Sequence, residues 1–297
     1  MAILTVRRAL LIVNPASRIG ERSHGAVLRA CAGAGVDVTV RSTEGPGDAG
    51  RFAAAHGARY DAVFALGGDG TLAEVAGALA GTGVAVGILP AGTGNLAARA
   101  LGIPLAPAAA LHALARGQRR QIDVARMDDG RCTIFAAGAG IDAAMIAGAT
   151  SARKRRYGVL TYFVTGTKAA FQRQRFLVRA TVDGVPISCD ASAVFVANFG
   201  SVLGGLIHLG PDIHANDGAL DLCVLSPQSL LGAFGVAWRM LRNDFRPHRD
   251  MQFMKGRVIE LTTVPIRPLQ SDGEAVGQTP ARFQVEAGAL TLLVPSR

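Results

Sequence analysis

Two glycine-rich turns carry the residues best suited to chemistry in this chain. The first, Gly67-Gly68-Asp69-Gly70-Thr71, follows the apolar run from Ala62 to Leu66. The second, Pro90-Ala91-Gly92-Thr93-Gly94-Asn95, follows the run from Val84 to Leu89. Glycines let the backbone approach a ligand closely, and the unpaired N–H groups at the start of a following helix favour an anion. Apolar run, glycine turn and helix-like segment occur twice over, which points to a nucleoside triphosphate held at both turns. Read separately, Asp69 would be an ordinary turn residue and Thr71 a helix cap.

The flanking sequence can build the scaffold such turns need. Ala9 to Val13 reads as a short buried strand entering the turn Asn14-Pro15-Ala16-Ser17. Arg22 to Ala34 has helical spacing, Val36 to Arg41 alternates as a strand, Asp48 to His56 is a second helix and Ala62 to Leu66 a third strand. Strands alternating with helices at this spacing imply a parallel sheet covered on both faces. After the helix predicted over Pro107 to Arg116 the texture changes. Arg131 to Ala137, Leu177 to Val182, Ala193 to Asn198, Ala219 to Leu225, Val258 to Thr263 and Phe283 to Val285 read as strands. Short turns such as Val182-Asp183-Gly184-Val185 join several of them. The expected fold is an α/β N-terminal domain over residues 1–123 and a β-rich, mostly antiparallel, sandwich-like C-terminal domain over 124–288. The last strand, 289–297, is free to return to the first domain.

Composition narrows the classes of partner. With 49% hydrophobic and 18% charged residues the 297-residue chain is globular rather than disordered. The scattered cysteines Cys31, Cys132, Cys189 and Cys223 argue against a disulfide framework or a zinc site. No signal-peptide pattern and no long uninterrupted apolar run are read, so a cytoplasmic location is expected. A net charge of +9 favours nucleotides, nucleic acid or an anionic membrane face. At 5% aromatic residues there is no interleaving of bases and rings to suggest nucleic-acid binding, which is set aside.

With these residues in view, the chain resembles the diacylglycerol kinase catalytic-domain superfamily, particularly the soluble bacterial lipid kinases and the sphingosine kinases. The resemblance spans nearly the whole chain. It runs through Asn14 to Ser17, Thr43, Gly47 to Ala49, Gly67 to Thr71 with Glu74, Pro90 to Arg99, and Gly140 to Ala143. It continues through Asn198 to Gly205, Pro211-Asp212, Asp217 to Asp221, and Asp272-Gly273-Glu274.

The resemblance implies ATP and Mg²⁺ as cofactors and a lipid hydroxyl as phosphoryl acceptor. Asn14, Thr43, Gly67, Gly68, Asp69, Gly70, Thr71, Glu74, Gly92, Thr93 and Asn95 look like the ATP-binding set, with Glu74 and Asn95 bracing the cradle. Glu274 resembles the catalytic base, and Asp272 would join Asp69 in an Asp–water–Mg²⁺ network across one crevice. A hydroxyl nucleophile needs a carboxylate within reach, and the transferring group needs its charge neutralised, so the chemistry suits these residue types. Taken alone, Asp272 to Glu274 would be a hairpin turn. A second, structural Mg²⁺ would use the Asp217 carboxylate with carbonyls of His214 and Ala219, where the plain alternative is an Asp-Gly turn. Two departures from the family pattern stand out: Arg18 where a glycine is usual, and Ser271 before Asp272.

The basic segment Arg153 to Arg156, with Lys168, Arg173 and Arg175, suggests peripheral contact with an anionic membrane. The amphipathic segment Ser229 to Arg242 would line a lipid entrance or pack on the second domain. A homodimer is a further expected partner state. The reading is an ATP-dependent lipid kinase acting on diacylglycerol or a related lipid alcohol. Its alternatives are an NAD kinase-like enzyme and a non-catalytic lipid- or nucleotide-binding regulator of the same fold.

Overall fold

A computed structural model describes residues 6–17, 19–92, 94–140, 175–202, 207–272 and 274–296. The chain divides into two compact units, one of Met1–Val124 with Ala287–Arg297, the other of Ala125–Val202 with Leu206–Glu286.

In the first unit β1 (Arg8–Val13), β2 (Asp37–Ser42), β3 (Ala62–Gly67) and β4 (Ala85–Pro90) run parallel in the order β2-β1-β3-β4. Thr291 and Leu292, near the end of the chain, pair in parallel with Ala85 and Val86. Helices α1 (Gly20–Ala34), α2 (Asp48–His56), α3 (Asp69–Leu79), α4 (Leu96–Ala100) and α5 (Pro107–Ala115) make the connections. Every residue of β3 and β4 is buried, as strands covered on both faces must be, and this is why they read as unbroken apolar runs. Phe64 on β3 is opposite Gly87 on β4; a Cβ at Gly87 would lie 2.4 Å from the Phe64 ring, so the missing side chain is what admits the ring. Burying Phe64 and leucines such as Leu10 and Leu66 contributes roughly 1.5–3 kcal/mol each.

The strand β5 (Gln118–Met127) leads out of this unit. The second unit contains β6 (Cys132–Thr133), β7 (Ala136–Ala139), β8 (Phe176–Val182), β9 (Val185–Ala191) and β10 (Ala193–Ala197). It continues with β11 (Ser201–Val202), β12 (Ile207–His208), β13 (Leu220–Leu225), β14 (Met251–Gly256), β15 (Val258–Val264), β16 (Pro268–Ser271) and β17 (Glu274–Gln278). The long β18 (Ala281–Val294) begins here and ends in the first unit. One antiparallel sheet has the order β14-β13-β10-β7-β16-β17; in the other, β15 lies between β8 and the early residues of β18. Their facing sides, including Val178, Val194, Val196, Leu222, Ile259, Leu261 and Phe283, form one core. This is a β-sandwich, and the alternating burial of β8 and β15 is its signature.

The opposite face of the six-stranded sheet is also covered. Ala197, Leu209, Ile213 and Cys223 form a smaller cluster there, joined by Phe195, Phe253 and Met240. Met240 belongs to the helix Leu230–Leu241, whose N-cap Ser229 accepts a hydrogen bond from the Gly232 amide at 3.0 Å. The amphipathic segment thus packs on the second unit. Among the described residues no helix is long and apolar enough to cross a membrane.

Two strand expectations are corrected. Arg131 to Ala137 is not one strand: it breaks between Thr133 and Ala136, where the backbone N–H groups turn to a side chain far along the chain. Phe283 to Val285 and Leu290 to Val294 are parts of a single 14-residue strand. The basic segment Arg153 to Arg156, Lys168, Arg173, Arg18 and the Gly140 to Ala143 motif beyond Gly140 lie outside the described residues.

Candidate functional site

The two glycine turns sit at the ends of adjacent parallel strands, and they touch. The Ala91 and Gly92 amides both donate to the Gly67 carbonyl, at 2.8 and 3.2 Å. A Cβ on Gly92 would fall 2.6 Å from the Gly68 Cα, and one on Gly67 would fall 2.4 Å from the Thr71 hydroxyl. Glycine is therefore required at both places by close approach, independently of any ligand. Gly68 precedes α3, so Asp69, Gly70 and Thr71 fill its first turn, where the amides have no helical partner.

Side chains tie this corner together. Asn14, just after β1, donates from Nδ2 to the buried Thr71 hydroxyl at 3.1 Å. As an acceptor from Asn14, that hydroxyl keeps its own hydrogen to donate. Asp69 Oδ1 accepts from the Ala97 amide at 3.1 Å, linking the first turn to the start of α4. Asn95, in the left-handed region at φ 47, closes the second turn on itself: its Oδ1 accepts from the Gly92 amide and its Nδ2 donates to the Gly92 carbonyl. Thr43 is buried after β2, its amide donating to the Val13 carbonyl at 2.9 Å. Thr93 lies outside the described residues.

Glu74 faces the other way. Its carboxylate accepts from the amides of Gly47 at 2.9 Å, Ala49 at 3.0 Å and Gly50 at 3.4 Å. These are orphan donors at the N-terminus of α2, so Glu74 on α3 caps a neighbouring helix and complements its dipole. This explains a motif in which Gly47 to Ala49 and Glu74 occur together.

In the second unit Asp272 is buried, with φ 50, and its carboxylate accepts three amides: Ile134 at 2.7 Å, Phe135 at 2.8 Å and Ala136 at 3.1 Å. The same segment is gripped from the other side by Asn198, whose Nδ2 donates to the Ile134 carbonyl at 2.8 Å. Ser271, the departure noted above, shares a 2.7 Å hydrogen bond with the Thr133 hydroxyl. An apolar residue at 271 would leave that buried hydroxyl without this partner. Ser271 and Glu274 pair across the β16–β17 hairpin, with Glu274 exposed to solvent at its tip. The hairpin and the acidic pair are thus one object: Asp272 anchors it, and Glu274 is presented.

The Asp217 carboxylate already holds a cation. Lys255 Nζ on β14 donates to Asp217 Oδ2 at 2.6 Å and to the Asp212 carbonyl at 2.8 Å, and lies 3.7 Å from Asp221 Oδ2. Asp217 Oδ1 accepts from the Ala219 amide at 3.1 Å, while His214 is exposed. Burial pushes the Asp221 carboxyl up to about 7, with the Lys255 charge pulling the other way. Among the described residues no three His, Cys, Asp or Glu side chains converge as a metal cluster. Lys255 was missed in the sequence because nothing local to it marks a partner; only the pairing of Asp221 with Lys255 across β13 and β14 brings them together.

A parallel α/β unit with paired glycine turns, followed by a β-sandwich unit, is the architecture of a two-domain kinase. Comparison with known proteins narrows the class. Residues 8–127 match the diacylglycerol kinase catalytic domain, and residues 136–294 match the YegS C-terminal NAD kinase beta sandwich-like domain. The chain belongs to this diacylglycerol kinase and YegS-like lipid kinase family. It is 33% identical over 98% of its length to the "Probable lipid kinase YegS-like" of Pseudomonas putida, covering 96% of that protein. It is 30% identical over 94% of its length to the "Diacylglycerol kinase" of Bacillus subtilis, covering 93% of it. An "Uncharacterized protein" of Synechocystis is 30% identical over 78% of this chain, which spans 54% of that longer protein. A crystal structure described as "a putative diacylglycerol kinase" from Bacillus anthracis superposes with a TM-score of 0.81 at 25% identity, covering 98% of each chain.

Proposed function

We propose that this protein transfers the γ-phosphoryl group of ATP to the hydroxyl of a lipid alcohol, diacylglycerol or a close relative. The observation that carries the reading is the pair of contacting glycine turns, with Asp69 and Thr71 in the first turn of α3. Open amides and a hydroxyl hydrogen there suit phosphate oxygens, and the steric demand at Gly67 and Gly92 keeps the corner narrow. Asn14 sets the Thr71 hydroxyl, Asn95 holds the second turn, and Thr43 and Thr93 complete the nucleotide set; Glu74 acts at a remove, fixing α2.

Mg²⁺, when bound with the nucleotide, supplies charge neutralisation of the phosphates. Asp69 suits it: an oriented carboxylate beside a phosphate cradle is the small protein contribution this hard cation takes in triphosphate sites. Asp272 differs, because both of its oxygens accept backbone amides. In this reading Asp272 positions the hairpin and Glu274 takes the proton from the attacking hydroxyl. The Asp217 group is neutralised by Lys255, and no step is assigned to a cation there.

In this reading the lipid acceptor is met at a bilayer surface and the ATP is drawn from the cytoplasm. The test is Glu274→Gln, which keeps size and removes the base. Transfer is expected to fall at least 100-fold, with ATP affinity within about twofold of the parent because Glu274 makes no part of the cradle. Near-parental turnover would remove Glu274 from its role.

A further inference from the structure

An open cleft of about 520 Å³ runs beside the helix Leu230–Leu241, lined by Ser229, Gly232, Gly235, Trp238, Arg239 and Asp250 among others. Its size is within the range of roughly 300–1,000 Å³ usual for small-molecule sites. His248 and Asp250, both on its wall, immediately precede β14, and β14 and β17 are the two edges of the six-stranded sheet. Five strand spacings, about 24 Å, separate that edge from the strand that begins at Glu274. Two buried polar atoms on the wall lack a partner, and they are of opposite kind. Asp250 is 3% exposed, yet among the described residues nothing donates a hydrogen bond to its Oδ1. Arg249 Nε pairs with that oxygen only at 3.6 Å, beyond hydrogen-bond reach. His248 Nδ1 is 4.0 Å from the other oxygen, but it already accepts the Asp250 amide at 3.2 Å and so has no hydrogen to give. Arg239 spends Nη2 on the Asp244 carboxylate and the Arg246 carbonyl, while its buried Nε donates to nothing among the described residues. A buried acceptor and a buried donor left open on one cleft call for a group that can both give and take hydrogen bonds.

We propose that this cleft binds a neutral polyhydroxyl ring, a sugar or cyclic polyol, either free or carried as the headgroup of a lipid. One hydroxyl donates to the Asp250 carboxylate and another accepts from Arg239, as only a group with both functions can. The charge on the wall selects against the alternatives. Arg239 and Arg249 stand there against Asp244 and Asp250, so the signs balance. An anion would meet the two carboxylates and an ammonium group the two guanidinium groups, each after losing its own hydration, a cost that a neutral ligand escapes. Leu231 and Trp238 supply apolar surface for the C–H bonds of a ring. Two glycines keep the space open. A Cβ at Gly232 would lie 3.2 Å from Asp250 Oδ2, crowding the carboxylate, whereas one at Gly235 would meet nothing within 4 Å.

The proposal does not rest on the lipid-kinase reading, and its test does not use turnover. Trp238 is the sole tryptophan, so its emission reports the cleft wall alone. The full chain is titrated with methyl glucoside, myo-inositol, inorganic phosphate and ethanolamine, by fluorescence and by calorimetry. Saturable binding is expected with at least one of the first two, and none with phosphate or ethanolamine. Asp250→Asn keeps the size of the side chain and removes the open carboxylate oxygen; it should weaken binding roughly tenfold or more. Gly235→Leu sends a side chain into open space and replaces a helical glycine, so its melting temperature should equal or exceed that of the parent. By filling the cleft it should weaken binding roughly tenfold or more as well. Calorimetry with glucosyl diacylglycerol and with diacylglycerol, in the same neutral detergent micelles, identifies the source. Tighter binding of the glycolipid than of methyl glucoside assigns a lipid headgroup and equal binding assigns a free sugar; either upholds the proposal. Binding of phosphate or ethanolamine in place of the ring compounds would overturn it. So would no saturable binding of any probe, which leaves a cleft that holds water alone, or undiminished binding in either variant when folded.

Discussion

Asp272 and Phe135 lie 137 residues apart in sequence, yet the carboxylate of one accepts the amide hydrogen of the other at 2.8 Å in the buried floor of a hairpin. With Ile134 and Ala136 this makes three charge-assisted hydrogen bonds to one side chain. Asp272→Ala would strip three amides of their acceptor, at a cost of about 3 kcal/mol or more. Chemical denaturation should show that loss, with a smaller one for Asp272→Asn, which retains an acceptor oxygen. A loss below 1 kcal/mol in the alanine variant would contradict the anchoring role.

Glu74→Ala should cost about 1–2 kcal/mol, because Gly47, Ala49 and Gly50 at the start of α2 lose their shared acceptor. Amide hydrogen exchange should quicken in α2 before it does in β3. Uniform protection in the variant would show that the cap is dispensable.

Gly92→Ala places a methyl group 2.6 Å from the Gly68 backbone, which no rotamer change relieves. A loss of about 1–3 kcal/mol is expected, together with at least a tenfold drop in ATP affinity by calorimetry. Unchanged ATP binding in a folded variant would separate these turns from the nucleotide.

Lys255→Met leaves Asp217 and the buried Asp221 without their ammonium group, and should cost about 1–3 kcal/mol at neutral pH. Added Mg²⁺ should raise the melting temperature of this variant more than that of the parent, because the oxygen donors are then open to another cation. Equal melting temperatures for parent and variant would show that Lys255 does not hold the loop.

Arg126 grips Glu286 in two parallel contacts of 2.9 and 2.7 Å, and this holds the Glu286 carboxyl below its ordinary value. A group lowered on folding stabilises the protein above its unfolded value, and that gain is lost as the pH falls through the folded value. With Glu286 more than a third exposed, the contribution is about 0.5–1 kcal/mol. Glu286→Gln should therefore melt lower than the parent at pH 7 and converge with it as the pH falls through the lowered Glu286 value. A constant difference down to strongly acid pH would mean that the pair is not what is lost.

What the sequence made legible was local. The helix Asp48 to His56 could be bounded because Gly47 precedes it and glycine follows at Gly57; β3 and β4 could be found because burial on both faces leaves no polar interruption. The turn at Asp183-Gly184 announced its hairpin by residue type, and both residues do take positive φ. What stayed hidden depended on distant partners. The break after Thr133 exists because Asp272 claims the amides of Ile134 and Phe135. The continuity of β18 is disguised by Glu286-Ala287-Gly288, where Gly288 at φ +61 donates its amide to Asp123. β17 shows no hydrophobic pattern because it is an exposed strand at the sheet's edge. At the candidate site, the glycine turns were visible as a motif, whereas Lys255 beside Asp217 was not.

The account rests on phosphoryl transfer to a lipid hydroxyl, and one assay addresses it directly. Purified protein is incubated with Mg²⁺ and γ-labelled ATP, and with diacylglycerol, a sphingoid base, phosphatidylglycerol or a glycolipid in mixed micelles, and with NAD in parallel; products are separated by chromatography. The predicted result is label in at least one lipid product, none in NAD, and none in any lipid when Glu274→Gln replaces the parent. Label in NAD with none in any lipid would contradict the account.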